Sequence, residues 1–124
     1  MDKLGVKPDS KVTLIGIDDE TFWQQLVDRT DDAVKSRLRH DTDLIFYAAD
    51  SLDQLFELGR LKTYLKPNGA IWVVSLKGKA ARIKDLDVIA AARAAGLVDN
   101  KVVSFSTTHT SLRLVIPVEQ RSAS

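Results

Sequence analysis

The chain contains no cysteine. That excludes disulfides, thiolate nucleophiles and cysteine-based metal sites together, and it suits a reducing, cytoplasmic setting. Long apolar runs are missing as well. Such runs as there are, residues 70–74 among them, are far short of the ~20 residues that cross a bilayer, so no membrane partner is expected. The first ten residues carry Asp2, Lys3, Lys7 and Asp9 without an apolar stretch, and no secretory signal is expected there. Only two histidines occur, His40 and His109. The cluster His40-Asp41-Thr42-Asp43 is too short to specify a metal site, and none is expected. No Gly-x-x-x-x-Gly-Lys-Ser/Thr phosphate loop is present either.

What is present is globular. With 124 residues, 44% of them hydrophobic and 28% charged, the chain suits one domain with a real core rather than a disordered or two-domain protein. Residues 1–118 are expected to form that domain and 119–124 a disordered tail. The net charge of +1 hides an asymmetry. Residues 18–57 hold eleven acids against four bases, whereas residues 58–121 hold eleven bases against four acids. A chain so divided can associate with itself or offer an acidic partner its basic half. The plainer reading is solvated faces that interleave on folding.

Lys11–Ile17 is a short β-branched run and reads as a buried strand. Phe22, Trp23, Leu26 and Val27 recur at helical spacing over 20–29, with Asp18 or Asp19 as the cap. Residues 30–42 leave room only for a short edge strand near Val34–Leu38. Asp43–Ala49 is a second strand, apolar enough to be covered on both faces. Ser51 and Gln54 form a capping-box pattern, and Leu55, Leu58, Leu61 and Leu65 predict a helix over 52–65. Pro67-Asn68-Gly69 reads as a turn that stops it. Ala70–Leu76 is a third strand, Lys77–Lys84 a basic loop, and 85–95 a helix with Leu86, Ile89 and Ala90 inward and Gly96 as its stop. Lys101–Phe105 and Leu112–Pro117 read as two strands joined by the polar stretch 106–111. Strands alternating with helices predict a three-layer α/β domain, Rossmann-like, with a mostly parallel sheet and a C-terminal antiparallel pair.

The segment DLIFYAAD, a helix, LKPNGAIWVVSLKG, a helix ending AARAAGLVD and then a strand pair resembles the C-terminal half of class I S-adenosylmethionine-dependent methyltransferases. The resemblance covers about residues 43–117. Over its whole length the chain also resembles a family of short uncharacterised bacterial proteins that open on "LGVKP" and carry Thr-His-Thr near the end. Those stretches are Leu4–Pro8 and Thr108–Thr110 here. The N-terminal half departs from the methyltransferase pattern and is shortened. The family's glycine-rich cofactor loop is replaced by Gly16-Ile17-Asp18-Asp19-Glu20, and its ribose-holding acid, which ends a second strand, has only Asp31 and Asp32 to stand for it. The expectation is a non-catalytic methyltransferase-like binding or interaction module, with S-adenosylmethionine disfavoured as a cofactor. The alternative is a minimal methyltransferase or another small enzyme.

In open α/β sheets ligands bind outside the carboxyl ends of the strands. That rule gathers Gly16, Asp18, Asp50 and Ser51 as cofactor-binding candidates, and Lys77 and Lys79 as candidates for binding an anion. His109, among Ser and Thr, is the candidate catalytic base. The plainer roles are helix caps for Asp18 or Asp19 and Ser51, solvation for the lysines, and hairpin hydrogen bonds for His109. Expected partners are a second copy of the chain in a homodimer, a small anionic ligand or a protein. Nucleic acid is not expected, because seven of the eight aromatics lie on predicted core elements.

Overall fold

The computed structural model of the chain describes residues 2–118; the tail expected at 119–124 falls outside the described residues. Six strands form one sheet: β1 (Lys11–Ile15), β2 (Asp32–Lys35), β3 (Thr42–Ala48), β4 (Leu65–Leu76), β5 (Val98–Ser104) and β6 (His109–Val115). Among the described residues four α-helices accompany them: α1 (Glu20–Arg29), α2 (Leu52–Leu55), α3 (Leu58–Lys62) and α4 (Asp85–Ala94). Across the sheet the order is β2-β1-β3-β4-β6-β5. β1 to β4 are parallel, and β6 runs against both β4 and β5. The mostly parallel, Rossmann-like sheet with a C-terminal antiparallel pair is thus the one the pattern predicts.

Alternation along the strands builds two cores. Val12, Leu44, Ala70 and Val115 stand opposite one another across four strands and belong to one cluster with Leu14, Phe46 and Trp72. α1 covers that face with Phe22 and Leu26, joined by Leu4 and Val6 of the N-terminal segment. Trp72, wholly buried, donates its indole N–H to the Leu4 carbonyl at 3.1 Å, which fastens that segment to the sheet. On the other face Ile45, Ile71 and Leu114 form the matching row, and Leu55, Leu58, Leu61, Val88 and Ala92 of α2, α3 and α4 cover it. β1, β3 and β4 are covered on both sides, which is why their sequences are almost continuously apolar.

α1 has the predicted bounds, and Asp19 is its cap: its Oδ1 accepts the Phe22 N–H at 3.0 Å. The single helix predicted over 52–65 is instead two short ones. At Phe56 and Glu57 the backbone N–H groups bond three residues back, to Asp53 and Gln54. Leu55, Leu58 and Leu61 are all buried, and their spacing of three suits this tighter winding as well as an α-helix. The predicted turn Pro67-Asn68-Gly69 is absorbed into β4. Leu65 pairs with Thr42 and Ala70 with Leu44, so residues 66–69 bulge opposite one residue of β3. A Cβ on Gly69 would come within 3.0 Å of the Asp43 and Thr42 carbonyl oxygens, so this close approach needs glycine.

The inner face of α4 is also corrected. Val88 and Ala92 are buried, with Ile89 partly so, whereas Leu86 and Ala90 are exposed. Phe56, expected in the core, is exposed as well. The edge strand lies at 32–35 instead of 34–38, and the final two strands begin three residues earlier than predicted.

Candidate functional site

The carboxyl ends of β1, β3 and β4 open on a cleft of about 350 Å³. Its lining includes Gly16, Asp18, Asp19 and Asp50 from the strand ends and Thr108 and His109 from the turn before β6. Ile17, Ala48, Val74 and Phe105 supply apolar wall. Because β6 is reversed, its first residue reaches the rim where the parallel strands end: His109 stands opposite Leu76, the last residue of β4. Four of the sequence candidates, Gly16, Asp18, Asp50 and His109, therefore meet in one cavity.

Gly16 leaves β1 with φ at +74°, and a Cβ there would lie 3.3 Å from that of Ala48. Both conditions favour glycine. The turn it makes sends Asp18 to the exposed mouth and Asp19 onto the start of α1. Asp50 Oδ1 accepts the Leu76 N–H at 2.9 Å, while the Asp50 N–H donates to Gln54 Oε1 at 2.8 Å. Two of the three carboxylates thus hold backbone donors through one oxygen and keep the second for other partners. His109 is half-buried. Its Nδ1 lies 2.8 Å from Thr108 Oγ1, which in turn lies 3.3 Å from Ser106 Oγ. Asp18, Asp19, Asp50 and His109 are the titratable groups of the lining, and no lysine or arginine is among them.

The remaining candidates stand elsewhere. Ser51 Oγ accepts the Gln54 N–H at 3.2 Å and caps α2. Lys77 Nζ donates to Ser104 Oγ at 2.8 Å, and Lys79 lies in the exposed 3₁₀ turn Gly78–Ala80. Neither lysine lines the cleft. Asp32 begins β2, so it sits at the opposite end of the sheet from the cleft, paired with Arg39 at 2.5 Å. β2 ends in Lys35, followed by Ser36 at φ +56°. Sequence reasoning missed Phe105, which looked like core alone; it packs on Phe22 with ring centroids 4.5 Å apart and also walls the cleft.

Among the described residues no group of three or more His, Cys, Asp and Glu is placed to hold a metal. No helix among them is long and apolar enough to cross a membrane.

A family profile described as "Protein of unknown function (DUF3052)" matches residues 1–118. Comparison with curated protein sequences gives no match. Solved structures do match. N-methyltransferase NodS from Bradyrhizobium japonicum is 14% identical with a TM-score of 0.68, over 93% of this chain and 90% of that one. A protein from Sulfolobus solfataricus, provisionally described as a type 11 methyltransferase, is 14% identical with a TM-score of 0.65, over 88% and 85%. Fibrillarin from Aeropyrum pernix, solved with natively bound S-adenosyl-L-methionine, is 12% identical with a TM-score of 0.60, over 90% and 69%. At such identities the likeness shows the fold, which is methyltransferase-like.

Proposed function

We propose, from the premise that the chain belongs to the DUF3052 family and has a methyltransferase-like fold, that it is a non-catalytic binding module whose rim cleft takes a small molecule through a cationic group. One observation carries this reading: Asp18, Asp19 and Asp50 line the cleft and no lysine or arginine does. At ~4 Å and an effective dielectric near 20, each charge pair contributes about 4 kcal/mol, attractive for an ammonium and repulsive for a carboxylate. Val74 and Phe105 offer the apolar surface that such a ligand also needs. The absence of cysteine supports a cytoplasmic setting.

The residues present fit S-adenosylmethionine poorly. A single glycine, Gly16, stands where the methyltransferases' loop is glycine-rich, and two carboxylates follow it at the cleft where a methionine carboxylate would approach. β2 ends in a lysine rather than a ribose-holding acid. The second reading, an enzyme with its site at the same rim, draws its support from His109, a half-buried imidazole bonded to Thr108 inside the cleft.

Amide chemical shifts of the full chain, followed during titration with spermidine, inorganic phosphate and S-adenosylmethionine, test the proposal. Shifts clustered at residues 16–19, 48–50 and 105–109 with spermidine, reduced by Asp18→Asn, are the expected result. Micromolar binding of S-adenosylmethionine at those residues, abolished by Asp50→Ala, overturns it in favour of an enzyme.

A further inference from the structure

We infer that the face built by α2, α3 and α4 docks a second copy of this chain in a two-fold, antiparallel pairing of α4 helices. On this face an apolar groove of about 440 Å³ runs between α2–α3 and α4, over Leu55, Gly59, Ala91 and Ala95. Large apolar side chains stand in water, Phe56 and Leu52 lining the groove and Leu86 on the outer side of α4. Phe56 is 81% exposed, Leu86 75% and Leu52 58%. Placed so, they gain only part of what burial gives in the isolated chain, where a fully buried side chain of this kind is worth roughly 1.5–3 kcal/mol.

The charge on α4 selects the occupant. Val88 and Ala92 point into the core, so Leu86, Ala90 and Ala94 lie on the opposite side, one helical turn apart. Acids sit in the first turn, at Asp85 and Asp87, and Arg93 in the last. An antiparallel copy centred on Ala90 brings Asp87 level with the partner's Arg93, and by the two-fold axis does so twice. The helix dipoles oppose favourably in the same arrangement. A parallel copy would set acid against acid. Ala90, Ala94 and Gly59 hold no bulk that would keep two backbones apart, while Leu86 and Phe56 project far enough to enter a facing groove.

The other surface suited to self-association is the edge strand β5, where Val98 and Val102 are exposed. Its pairing with β6 slips between Asp99 and Lys101, and a bulge with a lysine on an edge opposes strand addition.

The missing cysteine supplies the test. Ala90→Cys places the chain's one thiol at the two-fold centre, and Val102→Cys places it on the rival edge. Under mild oxidation Ala90→Cys should give a covalent dimer and Val102→Cys should not. Sedimentation of the wild-type chain over a dilution series should show a reversible dimer. Ala90→Arg and Phe56→Ser should each weaken it by roughly tenfold or more while circular dichroism stays unchanged. Arg93→Glu should weaken it, and adding Asp87→Arg should restore part of the loss. A wild-type chain that stays monomeric throughout overturns the inference, as it would if the groove served a different protein. Cross-linking through Val102→Cys but not Ala90→Cys overturns it in favour of the sheet edge.

Discussion

Asp50 and Leu76 tie the ends of β3 and β4 together through a side chain: the Asp50 carboxylate accepts the Leu76 N–H at 2.9 Å. β4 continues beyond the last β3 residue it pairs with, Ala48, so Leu76 takes its acceptor from the loop after β3. Asp50→Ala should cost about 0.5–1.5 kcal/mol, the net range for one hydrogen bond, because the Leu76 N–H is only part-buried. Asp50→Asn keeps an oxygen in place and should cost less than half as much. Urea unfolding of both variants checks this, and equal losses would assign the effect to charge instead.

Gly16→Ala combines an unfavourable φ of +74° with a Cβ contact of 3.3 Å. About 1–3 kcal/mol should be lost, and the cleft lining should move with it. Thermal unfolding reads the first effect. Amide shifts of Ala48 and Asp19 read the second.

Trp72→Phe removes the indole donor that holds Leu4. A stability loss of about 1–3 kcal/mol is expected from the stranded carbonyl. Hydrogen exchange should rise in residues 4–6 before it rises in β3. Uniform exchange across both would mean that the N-terminal segment is held by packing alone.

Tyr47 gives the fold a dependence on alkaline pH. Burial pushes its phenol above the ordinary value of 10.0, the Glu57 carboxylate adds to the rise, and Arg60 opposes it. The folded state therefore holds the proton more tightly than the unfolded chain. That stability is fully present below about pH 10 and is lost as pH climbs through the folded value. Tyr47→Phe should be less stable at neutral pH by about 0.5–1.5 kcal/mol, having lost the 2.8 Å bond to the Gln54 carbonyl. It should also flatten the decline above pH 10. Urea midpoints taken across that range decide it.

Much of the fold was legible in the sequence because burial on both faces leaves a strong mark. Lys11–Ile15, Thr42–Ala48 and Ala70–Leu76 are strands whose neighbours on either side are apolar, so their own sequences are too. The start of α1 was legible because a cap and a helical period coincide there. The break at Phe56 was not, since leucines three apart suit an α-helix and a tighter turn alike. Lys66–Gly69 has the composition of a turn, and only the pairing of Leu65 with Thr42 draws it into the sheet. For the site, topology alone gathered Gly16, Asp18 and Asp50. It could not separate them from Ser51 and Lys77, whose side chains are turned aside by bonds to Gln54 and Ser104. Phe105 needed coordinates, because an aromatic in a core and an aromatic on a cleft wall look the same in sequence.

The position of β6 bears on how the chain comes off the ribosome. The strand made last among those described, His109–Val115, is not at the margin of the sheet but between β4 and β5. Until it emerges, the most apolar strand has an open side and β5 has nothing to join. A nascent chain stalled before residue 109 would present that open side to other chains, a setting for aggregation. Completion is therefore abrupt: one late insertion closes the sheet and, by bringing His109 to the rim, finishes the cleft in the same event.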